Sequence, residues 1–162
     1  MALTPTLWRT SRVLSGPARL DLLRRIFDRP DARVMDLAVA AGLSESRASQ
    51  ELRRLQSRGL VQAVRQGPGV AYRPVPDPKV ASAKPLLAAA KAALAQWPLE
   101  KTRLVAKAFG HERRLTVVRI LRQGKRGFAE LAVAAGMPQM ALFRHLRVLQ
   151  AGQVVRKTKG DW

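Results

Sequence analysis

The octapeptide DLAVAAGL at residues 36–43 returns as ELAVAAGM at residues 130–137, 94 positions later. Neither copy carries a nucleophile, and each has a single carboxylate as its one metal-binding group, so the repetition points to architecture rather than to chemistry. Downstream the match continues at the same offset. ELRRLQSRGLV (51–61) falls on HLRVLQAGQVV (145–155), which pairs Leu52, Leu55 and Gln56 with Leu146, Leu149 and Gln150. Upstream the offset becomes 95, with RLDLLRRI (19–26) on the segment from Arg114 and Leu20 on Leu115. The extra residue falls near DRPDAR, where a loop absorbs it; inside a helix it would rotate the buried face. Each copy therefore reads as a folding unit of about 60 residues.

Local signals within the first copy agree. Ser15 is placed to cap a helix beginning near Pro17, with Leu20, Leu23 and Phe27 on one face. DRPD breaks that helix. A short helix over Val34–Ala41 follows, closed by Gly42, which tolerates the left-handed conformation of a tight turn. Ser44 is the next cap, and the helix over 45–57 turns Ala48, Leu52 and Leu55 inward. VQAVRQGPGVAYRPV then alternates around Gln66-Gly67-Pro68-Gly69, the pattern of a β-hairpin. The second copy repeats the order with Gly136 in the turn and Leu142, Leu146 and Leu149 inward, but Trp162 falls opposite Pro68. Its hairpin is thus expected to be a stub or truncated.

Composition bounds the partners. Thirty Lys+Arg against eleven Asp+Glu leave +19, spread over both halves: 14 basic and 7 acidic residues in 1–80, 16 and 4 in 81–162. Such a charge, mostly arginine, suits a polyanion and favours nucleic acid over a merely basic or arginine-biased protein. With 47% hydrophobic residues the chain can build a core. The absence of cysteine excludes disulfides and thiolate metal sites. LLAAAKAALA is too short to span a bilayer, and MALTPTLWRTSRVL lacks a signal-peptide core, so the expected setting is cytoplasmic and nucleoid-associated, with no membrane partner.

Helix, short helix, glycine turn, capped helix and hairpin is the winged helix-turn-helix order. Through LSGPARLDLLRRI, DLAVAAGLSESRASQELRRLQSRGLV and RQGPGVAYRP, and through FGHERRLTVVRIL and ELAVAAGMPQMALFRHLRVLQAGQVV, the chain resembles the ArsR/SmtB family of bacterial transcriptional regulators over about 140 residues. The resemblance implies a mainly α fold with small β-hairpin wings. The expected domains are a first unit over 1–76, a connecting helix over 77–97 and a second unit over 98–162 with a short or truncated wing. Proteins resembling this family dimerise through a C-terminal helix packed on an N-terminal one. Here DPKVASAKPLLAAAKAALAQWPLEKTRLVAKAFG (77–110) splices the end of one copy into the start of the next. The resulting expectation is a single-chain pseudodimer, with Trp8, Leu14, Leu87, Leu94, Trp97, Leu104 and Phe109 in a joint core. A plain linker between independent domains is the alternative, though a flexible linker would not be this helical and apolar.

Helical projection then assigns the DNA-facing residues. Ser44, Ser46, Arg47, Gln50, Arg53 and Arg54 point outward or flank the first recognition helix. Gln139, Met140, Arg144 and Arg147 do so in the second, with Met140 offering only apolar contact, for instance to a thymine methyl. Arg65 lies at the first hairpin tip, with Lys157 and Lys159 as its counterparts. His111 and His145 are the only histidines; the first reads as a cap or surface residue, the second as a packing or phosphate-contact residue, so no metal site and no cofactor is expected. No triad, P-loop or carboxylate pair indicates an enzyme. The expected function is a sequence-specific double-stranded-DNA-binding transcriptional regulator of the repressor type. A non-specific nucleic-acid-binding or protein-interaction module is the alternative. A small-molecule effector between the copies and a homodimer of the whole chain stay open.

Overall fold

A computed structural model describes residues 6–67, 69–158 and 160–162. The protein is mainly helical, with one small antiparallel hairpin among the described residues. The order is α1 (Leu7–Leu14), α2 (Pro17–Asp28), α3 (Val34–Ala41), α4 (Glu45–Gln56), β1 (Gln62–Gln66), β2 (Gly69–Arg73), α5 (Ala83–Gln96), α6 (Leu99–Phe109), α7 (Glu112–Leu121), α8 (Phe128–Ala134) and α9 (Gln139–Ala151). None of the described helices is long and apolar enough to cross a membrane.

The repeated octapeptide folds the same way twice. Gly42 at φ 63° and Gly136 at φ 60° close α3 and α8 in the left-handed region, where a Cβ would be strained. The turns are tied by matching bonds, Leu43 N–H to the Ala38 carbonyl at 2.9 Å and Met137 N–H to the Ala132 carbonyl at 3.0 Å. Leu37, Ala38, Leu131 and Ala132 are buried, whereas the intervening Val39 and Val133 are 77% and 82% exposed. The octapeptide therefore has one face toward a core and one valine toward solvent in each copy.

The helices after these turns carry the stripes that their spacing predicts. Ala48, Leu52 and Leu55 of α4 and Leu142, Leu146 and Leu149 of α9 are fully buried. Each such leucine stabilises the fold by roughly 1.5–3 kcal/mol relative to exposure. Two cores form. The first joins α1–α4, Tyr72 of β2, Leu87 and Ala90 of α5, and Ala106 of α6. The second gathers Ala108, Val117, Leu131, Met137 and the α9 leucines. Helix α6 contributes to both, with Ala106 and Ala108 on opposite sides of its axis.

Two local expectations are revised, and a third observation concerns the end of the second copy. Ser15 does not cap α2; Gly16 occupies that position, and the Ser15 hydroxyl donates to the Arg12 carbonyl at 2.7 Å, closing α1 instead. A helix preceded this closely by another leaves the serine facing the carbonyls of the earlier one. The proposed joint core is also only partly formed: Leu14 and Leu87 are buried, Trp8, Leu94, Leu104 and Phe109 are half-buried, and Trp97 is exposed. Of these, Trp97 and Phe109 line an open groove between α1, α5 and α6. Finally, only the first copy has a two-stranded hairpin among the described residues. Among the described residues after α9, Thr158 bridges to Asp161, and Trp162 exchanges both backbone hydrogen bonds with Arg126, at 3.0 and 3.2 Å. In the first copy the equivalent segment, Asp31–Arg33, pairs with Ala71 and Tyr72 of β2. Trp162 thus supplies from a stub the pairing that β2 supplies from a strand.

Candidate nucleic-acid interface

Helix α4 begins at Ser44, whose hydroxyl accepts the Arg47 N–H at 3.3 Å, and its buried stripe fixes which residues face away. Ser44, Ser46, Arg47, Gln50, Arg53 and Arg54 are all exposed. They do not form one free surface. Arg54 donates to Glu51 at 2.9 Å, and Glu51 also accepts from Arg19 at 2.7 Å. Arg53 lines a cleft between α4 and the hairpin with Arg33, Glu45 and Tyr72. Burial raises the Tyr72 hydroxyl above its ordinary value, and the Arg53 charge offsets part of that. Arg65, one register step from the turn and opposite Val70, is exposed on β1.

On α9, Pro138 precedes the first turn, and Gln139, Met140, Arg144 and Arg147 are exposed. Lys157 is exposed beyond the helix, and Lys159 lies outside the described residues. Arg144 and Arg147 share a cleft with Lys107 of α6. The corresponding cleft of the first copy, between α1 and α4, holds Arg9, Arg12, Arg54 and Arg58. Position 107 is position 12 shifted by the repeat, so both copies set a cation of the leading helix beside the exposed face of α4 or α9. Sequence reasoning passed over Arg9, Arg12, Arg58 and Lys107. Applying the 95-residue offset to α1 and α6 as well as to the core helices would have found the pair at 12 and 107.

The α9 face differs from that of α4 in being apolar in part. Met140 is 66% exposed and Phe143 is exposed too, where α4 has Ser46 and Ser49. Both side chains offer dispersion contact and stacking but no hydrogen bond.

Where the copies meet, a charge pattern changes. Arg19 donates through Nε to the Val13 carbonyl at 2.7 Å, and Arg114, its counterpart, donates to the Ala108 carbonyl at 2.7 Å. Glu51, the partner of Arg19, is replaced at the repeat position by His145. The His145 ring lies 4.8 Å from that of His111, which caps α7 by accepting the Arg113 N–H at Nδ1. Burial holds both imidazoles below the ordinary histidine value, reinforced by Arg113 and Arg114 and, for His111, by Arg12. Burial and Arg12 lower the Arg114 guanidinium as well. Among the described residues, no three His, Asp or Glu side chains converge as a metal site would require.

No family model, curated protein or solved structure matches this chain.

Proposed function

We propose that the chain is a sequence-specific double-stranded-DNA-binding transcriptional regulator, a repressor of ArsR/SmtB-like type whose two winged helix-turn-helix units form a pseudodimer within one polypeptide. One observation carries this reading. The helix–glycine turn–helix is repeated with the same turn bonds and the same buried leucines, whereas the exposed faces of α4 and α9 differ. Scaffold is held constant where packing demands it, and residues vary where bases would be read. The flanking cations Arg9, Arg12, Arg58 and Lys107 suit phosphates, and the +19 charge supplies the salt-dependent part of the affinity. Because SESRASQ and PQMALFR differ, the operator is asymmetric, read in successive major grooves about 34 Å apart.

Selection of bound sequences from random duplex DNA, with the mass of the complex measured in parallel, tests this. One chain on an asymmetric site supports the proposal, and a perfect palindrome bound by one chain counts against it. The exposed Met140 and Phe143 favour a second reading, an interaction module that binds duplexes without preference; equal affinity for selected and random DNA selects it.

A further inference from the structure

The groove that leaves the joint core incomplete is a cavity of about 280 Å³ between α1, α5 and α6. Its two long walls are counterparts: Leu7, Ser11 and Leu14 of α1 face the groove, and so do Thr102, Ala106 and Phe109 of α6, each 95 residues later. Helix α5, through Ala93 among others, and the Trp97 that follows it close one side. Among the described residues the opposite side has no such cover, and the difference shows in matched positions. Thr102 is 5% exposed and its counterpart Leu7 is 43% exposed.

The chemistry of the lining restricts what fills it. No charged side chain borders the cavity. The Ser11 hydroxyl is committed to the Ala106 carbonyl at 3.1 Å, and the Thr102 hydroxyl points back to the Pro98 carbonyl at 3.5 Å. Water needs about two to four polar partners to be held in a cavity, and among the described lining residues apolar side chains predominate, with both hydroxyl donors already engaged. A space of about 150 Å³ lined by aliphatic and aromatic groups admits benzene, so one nearly twice as large takes a two-ring or medium-chain hydrocarbon body. An entire helix, about 10–12 Å across with its side chains, is too bulky an occupant.

We propose that this groove is a binding site for an uncharged apolar small molecule with a body of naphthalene size. The site rests on the groove geometry alone. Its consequence for DNA rests on the functional reading above: the walls come from the leading helices of both copies, so an occupant sets how the two lie against each other. A ligand that favours one arrangement shifts DNA affinity by its differential affinity for the two.

The test uses the full chain and N-phenyl-1-naphthylamine, an uncharged fluorophore, titrated without DNA. Saturable enhancement at one probe per chain is expected. Ala93→Trp fills the groove and weakens binding about tenfold or more. Leu7→Asp, an exposed first-turn position where an acid suits the helix dipole, does the same by charging the rim without disturbing a core. Ala92→Trp, exposed and outside the groove, leaves binding unchanged. Equal binding by all three variants and the parent overturns the proposal. So does a chain that binds no probe and associates, by light scattering, through a surface that Leu7→Asp disrupts, since the groove would then be a contact between copies. Adding DNA separates the two readings: probe binding with no effect on duplex affinity keeps the site and removes its regulatory role.

Discussion

The Ser11 hydroxyl hydrogen-bonds the Ala106 carbonyl, and the two positions are 95 residues apart, which is the repeat offset of the leading helices. A residue therefore touches its own counterpart. In a two-fold dimer that happens only at the symmetry axis, where an isologous contact pairs equivalent positions. Helices α1 and α6, counterparts in the repeat, pack on each other there, and the matched pairs Leu7/Thr102 and Leu14/Phe109 line the groove beside the contact. The contact is the strongest single support for the proposed pseudodimer. Helix α6 is shared by both units, since its two faces enter two different cores.

Ser11→Ala removes the donor from this contact and leaves a carbonyl short of one bond in a site that is almost fully buried. The expected loss is about 1–2 kcal/mol, read as a lower urea midpoint with an unchanged slope. Gly152→Ala should cost about as much or more. Its new Cβ would meet the Ala108 Cβ at 2.8 Å and the Leu104 carbonyl oxygen at 2.9 Å, so α6 and α9 would have to separate.

Truncation at matched positions should reveal the uneven cover of the groove. Leu14→Ala opens a buried core position under α5 and should cost about 2–5 kcal/mol. Its counterpart Phe109 is half-buried, so Phe109→Ala should cost less despite the larger side chain. Chemical denaturation of both variants checks the order; a greater loss at 109 would contradict the one-sided cover.

Stability should fall as the solution is acidified through the histidine range. Both imidazoles are held below the ordinary value of 6.5, first by burial and then by neighbouring cations. The unfolded chain therefore binds protons at a pH where the folded chain does not, and stability present above that ordinary value is lost below it. The facing charges are Arg113 and Arg114 from α7 for both rings, Arg12 from α1 for His111 and His111 itself for His145, with Glu112 opposing them at His111. His145→Glu places a carboxylate where the first copy has Glu51 beside Arg19. It should flatten the acid limb and raise stability at pH 5, by up to about 1 kcal/mol for a partly exposed pair. Thermal melts between pH 5 and 8 measure both effects.

The two kinds of cation in the proposed interface should separate by salt and sequence. Arg12→Ala and Lys107→Ala, in the clefts beside α4 and α9, should weaken all duplexes alike and lower the salt slope by about one each. Arg144→Ala should cost about 1–3 kcal/mol on the selected site and relax preference there. Arg53→Ala should do likewise only where the side chain leaves the hairpin cleft to reach a base. Fluorescence anisotropy at several salt concentrations distinguishes the cases.

Much of the architecture was legible because it is local. The period of Ala48, Leu52 and Leu55, the glycines at 42 and 136, the serine cap at 44 and the pairing of Gln66 with Gly69 each depend on residues within a few positions of one another. The exposed set on α4 and α9 follows from the same periodicity, since a buried stripe defines its opposite face. The Ser15 expectation failed for a related reason: a capping residue was visible, but which of two adjacent helices it serves depends on where the first one ends.

Sequence alone determined the element order, the turn chemistry, the inward stripes and the fact of duplication. Tertiary structure decided the rest: that α1 meets its own counterpart α6, that α5 covers one side of their groove, and that Arg53 faces the hairpin while Arg54 is tied to Glu51. It also decided that Trp162 substitutes for a strand and that His145 inherits the place of a carboxylate. The physical reason is separation along the chain. Periodicity and propensity act over a few residues, whereas these contacts join side chains tens of positions apart, whose meeting depends on how every helix between them packs.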